Sequence, residues 1–91
     1  MEFVLKISHI LVKNAYEIED LQRKLKEGST FEELAQKFSE CPSANAGGRL
    51  GDILKGQTVP EFESAAFALA PQEISGSVRT SFGYHLIKRT E

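Results

Sequence analysis

The chain has 91 residues, enough for one domain with a modest core, and we predict a single domain over residues 1–91. Hydrophobic residues make up 41% and charged residues 26% of the chain, an ordinary globular composition that argues against disorder. The net charge is −2 and no lysine- or arginine-rich run stands out, so nucleic acid is not an expected partner.

The first predicted element is a strand over residues 3–13, because large apolar side chains alternate there with other residues. The alternation predicts a half-buried strand, with Lys6 and Ser8 on its second face. His9 falls on the apolar face, in line with large hydrophobic residues. That face comprises Phe3, Leu5, Ile7, His9 and Leu11.

Two helices with capping-box sequences follow this strand. Asn14 with Glu17 begins the first helix, and Gly28 can end it. Thr30 with Glu33 begins the second helix in the same way. The apolar stripes at helical spacing are Ile18, Leu21 and Leu25 in the first helix and Phe31, Leu34, Ala35 and Phe38 in the second.

A loop, a short strand and a third helix come next. Residues 39–49 are rich in small and turn-forming residues and predict the loop, and residues 50–54 predict the strand. Thr58 with Glu61 predicts a third capping box, with Pro60 in the first turn, where its missing N–H costs nothing. The apolar stripe of this helix is Phe62, Ala65, Ala66 and Leu69, and Pro71 ends it.

The last part of the chain predicts two strands, over residues 77–81 and 84–90, around a turn at Phe82 and Gly83. The full order is strand, helix, helix, loop, strand, helix, strand, strand. This order predicts an α+β domain with a mostly antiparallel sheet.

Only a few side chains could do reactive chemistry near neutral pH, namely Cys41, His9 and His85. If the first and last strands are neighbours, the two imidazoles could meet inside the sheet. Each can equally be a core histidine whose ring nitrogens are satisfied. A free cysteine is commonly a small buried hydrophobe, but Glu40 and Pro42 beside Cys41 do not form an apolar setting.

No metal site, cofactor or phosphate-binding loop is expected. Metal ligands come in recognisable local spacings, and the chain has no Cys-x-x-Cys or His-x-x-x-His pair. The glycines of "AGGRLG" are not followed by the lysine and helix of a phosphate loop, and they predict a tight turn. A cysteine hydrolase with a Cys–His pair stays open, although a chain of 91 residues leaves little room for an acyl-binding cleft.

We expect a cytoplasmic, monomeric protein with no membrane partner, unless the chain is excised from a longer exported protein. The apolar stretches are too short to span a bilayer, and the start lacks the order of a signal peptide. The single cysteine cannot form an internal disulfide, so nothing requires an oxidising compartment.

Five motifs cover nearly the whole chain: "SHILVK", "FEELAQKFSECPS", "GGRLGD", "VPEFESAAFAL" and "FGYHLIK". Their content, order and spacing resemble those of the parvulin peptidyl-prolyl cis/trans isomerases. The chain is similar to the small free-standing catalytic domain of that family.

The resemblance implies a parvulin-like fold, with a four-stranded, mostly antiparallel sheet surrounded by about four helices and the active site on one sheet face. It also implies a proline-binding pocket and no cofactor. Thr58 stands where the family usually has Met or Leu, and a Thr58 that caps its helix predicts a shallower pocket. The implied catalytic residues are His9, Cys41, Thr80 and His85, and the implied substrate-binding residues are Leu50, Thr58, Val59, Phe62 and Phe82.

Two facing neutral imidazoles and the Thr80 hydroxyl can form a closed hydrogen-bond chain that determines the tautomers, and we expect the Cys41 sulfur at its end. Such a site would act on a prolyl amide without a covalent bond.

The leading hypothesis is an isomerase that acts on exposed, non-phosphorylated X–Pro bonds in peptides and unfolded polypeptides and assists folding. Parvulins that require phosphate present a basic cluster after the first strand, and this chain has only Lys13 before the acidic "NAYEIED". The alternatives are a proline-segment binding module or chaperone with weak or no isomerase activity, and the Cys–His hydrolase.

Overall fold

The computed structural model describes residues 4–54 and 56–91, and these form an antiparallel sheet with helices on both faces. Phe3, predicted in the first strand, lies outside the described residues. In chain order the elements are β1 (Val4–Val12), α1 (Ala15–Lys26), α2 (Phe31–Phe38), a short 3-10 helix (Pro42–Ala46), β2 (Arg49–Leu54), α3 (Pro60–Phe67), β3 (Val78–Thr80) and β4 (Gly83–Arg89).

The four described strands lie in the order β2-β1-β4-β3, and every pairing is antiparallel. The first and last strands of the chain are therefore neighbours at the centre of the sheet, with Leu11 opposite His85 and His9 opposite Ile87. The α+β prediction and the four-stranded sheet are confirmed. Three α-helices and the 3-10 helix are described, close to the expected number of about four.

The two faces of the sheet pack against different helices. Ile10, Val12 and Leu86 pack against α1 and α2, whereas Leu5, Ile7 and Ile87 pack against α3. The prediction that β1 is half-buried is therefore wrong for most of the strand, because α1 and α2 also cover its second face. Lys6 is exposed on that face as expected, but Ser8 is buried.

The first two helices begin where the sequence predicts. The Glu17 carboxylate accepts a hydrogen bond from the Asn14 backbone N–H at 3.1 Å. At α2, the Thr30 hydroxyl accepts one from the Glu33 backbone N–H, also at 3.1 Å. Each of these hydrogen bonds satisfies a backbone N–H at the start of a helix that would otherwise have no partner.

The predicted cap of α3 is wrong. The helix begins at Pro60, and Val59, not Thr58, is its N-cap residue. Proline disfavours helical geometry in the residue before it, so Val59 is extended (φ −64°, ψ 149°) and Thr58 lies one residue too far out to cap the helix. The Thr58 hydroxyl oxygen is buried and has no hydrogen-bond partner within the described part of the chain.

Candidate active site

Two buried histidines form a pair at the centre of the sheet. His9 in β1 and His85 in β4 are diagonal neighbours on one face, because Leu11 is the residue opposite His85. Their Nδ1 atoms lie 3.0 Å apart, and the rings are nearly parallel, with an interplanar angle of 18°. The predicted meeting of the two imidazoles is confirmed.

Thr80 in β3 extends this pair. Its hydroxyl lies 2.7 Å from Nε2 of His85 and also accepts a hydrogen bond from the Phe82 backbone N–H at 3.2 Å. A neutral imidazole has one donor and one acceptor, so the bonds link the tautomers of His9 and His85. If Thr80 donates to His85, then His85 donates to His9, whose proton is then on Nε2.

Cys41 does not end this chain. It is half-buried and lines the same cleft as the histidines, but no hydrogen bond joins its sulfur to either ring in the described part of the chain. The Nε2 atom of His9 is buried and has no hydrogen-bond partner among the described residues. The expectation that the Cys41 sulfur closes the chain is therefore wrong.

Both imidazoles are neutral at neutral pH. Burial, followed by the effect of the nearby His85, lowers the pKa of His9 from 6.5 to about 4. Burial also lowers the pKa of His85 below its usual value. The pair thus offers hydrogen-bonding dipoles without a net charge.

Phe62 of α3 covers the histidine pair. Its ring presents an edge-on contact to both imidazoles, at centroid distances of 5.6 Å from His9 and 5.3 Å from His85. Phe62 is itself buried, so the contact excludes water from one side of the pair.

The backbone around His9 is positioned by the predicted turn before β2. The His9 N–H donates to the Gly48 carbonyl oxygen at 2.8 Å. Gly48 has φ +86°, and a Cβ atom there would collide with the carbonyl oxygen of His9. The glycine therefore allows the loop to approach the strand that carries His9.

A cleft of about 550 Å³ opens beside the histidine pair. It contains every predicted site residue except Thr80, which lies in β3 and contacts His85. Phe82 is 69% exposed at its rim. The lining residues are His9, Leu11, Glu40, Cys41, Pro42, Leu50, Gln57, Thr58, Val59, Phe62, Phe82 and His85.

Four of these lining residues were not predicted as site residues: Leu11, Glu40, Pro42 and Gln57. Leu11 could have been found, because the strand period of two places it on the same face as His9. The other three lie in or beside loops, where no sequence periodicity indicates which way a side chain points.

The described residues contain no group of three His, Cys, Asp or Glu side chains placed to hold a metal ion. Within the same part of the chain, no helix combines the length and apolar character needed to cross a bilayer.

The sequence of this chain matches a known protein family. The sequence profile described as "Rotamase: PPIC-type PPIASE domain" matches residues 9–91. A parvulin-like PPIase of Rickettsia conorii is 47% identical over 91 residues, which cover 96% of this chain and 32% of the relative.

Two solved structures share the fold. The crystal structure of PrsA from Bacillus subtilis has a TM-score of 0.94 at 44% identity, over 97% of this chain and 35% of that protein. The solution structure of NmPin, a parvulin of Nitrosopumilus maritimus, has a TM-score of 0.87 at 43% identity, over 97% of this chain and 96% of NmPin. The chain spans about a third of the length of the curated relatives it matches.

Proposed function

Because this chain belongs to the parvulin family of PPIC-type peptidyl-prolyl isomerases, we propose that it catalyses cis/trans isomerisation of X–Pro bonds. The observation that carries the proposal is the cleft itself, in which apolar side chains surround an uncharged histidine pair. Its substrates are proline-containing peptides and unfolded polypeptides, and its role is to assist protein folding.

The reaction needs no bond to be made or broken. Rotation of an amide passes a barrier of about 18–20 kcal/mol because resonance is lost at the top. An enzyme lowers that barrier by binding the twisted amide better than the planar one. The twisted form has less charge separation, so it loses less than the planar form when it leaves water for an apolar cleft.

The residues of the cleft have different roles in binding the twisted amide. Leu50, Val59 and Phe62 supply an apolar surface for the prolyl ring, and Phe82 adds an exposed aromatic rim. The histidine pair places oriented dipoles at the base of the cleft. Thr80 acts as a positioning residue, because its hydrogen bond holds the ring of His85.

Cys41 acts here as a polar wall of the cleft and not as a nucleophile. A Cys–His hydrolase needs an imidazole that takes the thiol proton, and none is hydrogen-bonded to Cys41 in the described residues. In both imidazoles Nδ1 faces the other ring, and Nε2 of His85 faces Thr80.

The proposed substrate is not phosphorylated. Lys13 is the one basic residue between β1 and α1, and its Nζ lies 3.7 Å from Oε1 of Glu40. A phosphate carries nearly two negative charges and would meet the Glu40 carboxylate beside this lysine.

NMR exchange spectroscopy on Ala-Leu-Pro peptides tests the proposal. We expect cross-peaks between cis and trans forms at mixing times where the peptide alone shows none. An uncatalysed exchange rate with abundant folded protein would refute isomerase activity.

A proline-segment binding module is the second candidate, and Thr58 favours it. Its buried hydroxyl sits in the wall of the pocket instead of a purely apolar side chain. This candidate predicts chemical-shift changes on peptide titration without faster exchange, and Thr58→Met should then raise the exchange rate. The monomeric state and cytoplasmic location stay predictions from the sequence.

A further inference from the structure

One acidic side chain lies in the wall of an otherwise uncharged cleft. Among the described residues that line it, Glu40 is the only aspartate, glutamate, lysine or arginine. The lining histidines are neutral, since burial lowers the pKa of both His9 and His85. A charged side chain of a bound peptide that reaches this wall would therefore meet Glu40 and no other charged side chain of the described lining.

The backbone places Glu40 away from Leu50, one residue of the proposed proline-binding surface. Its N–H donates to the Leu11 carbonyl oxygen at 2.8 Å, near the end of β1. The pocket residue Leu50 follows Arg49, which pairs with Ser8 of the same strand. Three strand residues separate these points, or about 10 Å along β1. Glu40 would therefore contact a side chain that flanks the proline, and not the prolyl ring.

The internal partner of Glu40 is held weakly. The pair with Lys13 spans 3.7 Å, and the two side chains are 77% and 42% exposed for Lys13 and Glu40. Exposed pairs of this kind contribute little, because water screens them and ordering two long side chains costs entropy. A cation supplied by a bound peptide can therefore replace Lys13 as the partner of Glu40.

We propose that Glu40 is a specificity-determining residue that makes the cleft favour lysine or arginine beside the proline over glutamate or phosphoserine. The proposal rests on the proposed function, for which it names the preferred class of substrate. The cationic side chain is attracted by Glu40, whereas an acidic or phosphorylated one is repelled by it.

The test compares peptides that differ only in the residue flanking proline: lysine, leucine, glutamate or phosphoserine, placed before or after the proline. Exchange rates and shift-titration Kd values are measured on the same samples, so the affinity order is obtained even for a protein that does not catalyse exchange. Glu40→Gln removes the charge, and Glu19→Gln on the exposed surface of α1 is the matched control. Lys13→Ala removes the competing internal cation.

At low salt we expect kcat/KM or 1/Kd about tenfold higher for lysine than for glutamate at one of the two positions, with leucine between them. Glu40→Gln should flatten this order, Glu19→Gln should leave it intact, and Lys13→Ala should steepen it. About 1 M salt, where the Debye length is about 3 Å, should also flatten it. Equal values for the lysine and glutamate peptides at both positions, or an order that survives Glu40→Gln, would overturn the proposal. Uncatalysed exchange with an intact Kd order would instead overturn the isomerase activity alone.

Discussion

The two faces of this sheet are built from the same strands, but helices α1 and α2 cover one face, whereas the other face carries α3 and the cleft. On the face under α1 and α2, the strands contribute Ile10 and Leu86, which no solvent reaches, to an apolar cluster, and Ser8 is a buried polar residue of the same face. On the face under α3, the apolar residues Leu5 and Ile7 of β1 are followed by His9 and the cleft.

The number of covering helices explains the difference, because α1 and α2 share one face whereas α3 alone packs on the other. The eight residues of α3 make a helix of about 12 Å, whereas the nine residues of β1 span about 30 Å. The helix covers only part of its strand, and the uncovered part becomes the cleft. The comparison teaches that the cleft lies where the core of one face stops, so a substitution at the exposed rim of the cleft should lower activity with little effect on stability.

The largest expected effect tests that separation. Ile10→Ala removes a fully buried side chain and leaves a cavity, so it should lower the free energy of unfolding by about 2–5 kcal/mol. Phe82→Ala, at the exposed rim of the cleft, should change that free energy by no more than about 0.5 kcal/mol while lowering kcat/KM. Urea denaturation and peptide exchange measure the two quantities. Equal losses of stability in both variants would remove the proposed distinction between the faces.

The second effect is a decrease in the free energy of unfolding at low pH, which comes from the histidines of the cleft face. Because burial holds the pKa of folded His9 at about 4 and an unfolded histidine has about 6.5, the unfolded state binds more protons between these values. Stability is therefore full above about pH 6.5 and decreases as pH falls towards 4, by about 3 kcal/mol for His9 alone. The lowered pKa of His85 acts in the same direction. Urea midpoints between pH 4 and 7 measure the loss, and His9→Leu should reduce it; an unchanged pH dependence in that variant would contradict the assignment.

The third effect concerns the histidine pair as a unit. His85→Leu leaves the Nδ1 of His9 without its partner, and a buried polar group without a partner costs about 1–3 kcal/mol. The double variant His9→Leu/His85→Leu removes both polar groups from the pair and should be less destabilised than the sum of the two single variants. The coupling free energy comes from a double-mutant cycle in urea. An additive cycle would mean that the 3.0 Å contact has no energetic role.

The smallest effect compares two threonines on the cleft face. Thr58→Val removes a buried hydroxyl that has no partner among the described residues, and it should stabilise the protein by up to about 1 kcal/mol. The same substitution at Thr80 removes a hydroxyl that bonds His85 and the Phe82 N–H, and it should destabilise by about 1–3 kcal/mol. Thermal melts of the two variants measure these changes. If both melting temperatures shift in the same direction, the missing hydrogen-bond partner of Thr58 does not determine how the protein responds to loss of the hydroxyl.

Much of the fold could be predicted because it is encoded locally. The capping sequences at Asn14 and Thr30 predicted both helix starts, since capping involves residues three positions apart. The same logic failed at Thr58, because Pro60 forces an extended residue before it and moves the cap to Val59. A rule that counts spacing alone cannot include this steric effect.

The site was predicted less completely, because its lining comes from separate parts of the chain. Resemblance to a family indicated which residues meet, and all but Thr80 line the cleft. It did not indicate that the sulfur of Cys41 lacks a hydrogen bond to the imidazoles, nor that Glu40 enters the lining. Loop residues have no period that predicts their direction.

The sequence by itself determined the element order, the helix starts of α1 and α2, and the alternation that puts His9 in line with apolar residues. These features depend on neighbours within a few positions. Only the tertiary structure decided that the first and last strands pair, so that His9 meets His85 and burial lowers the pKa of both imidazoles. The physical reason is that burial and pairing between residues 76 positions apart depend on packing, which local spacing does not specify.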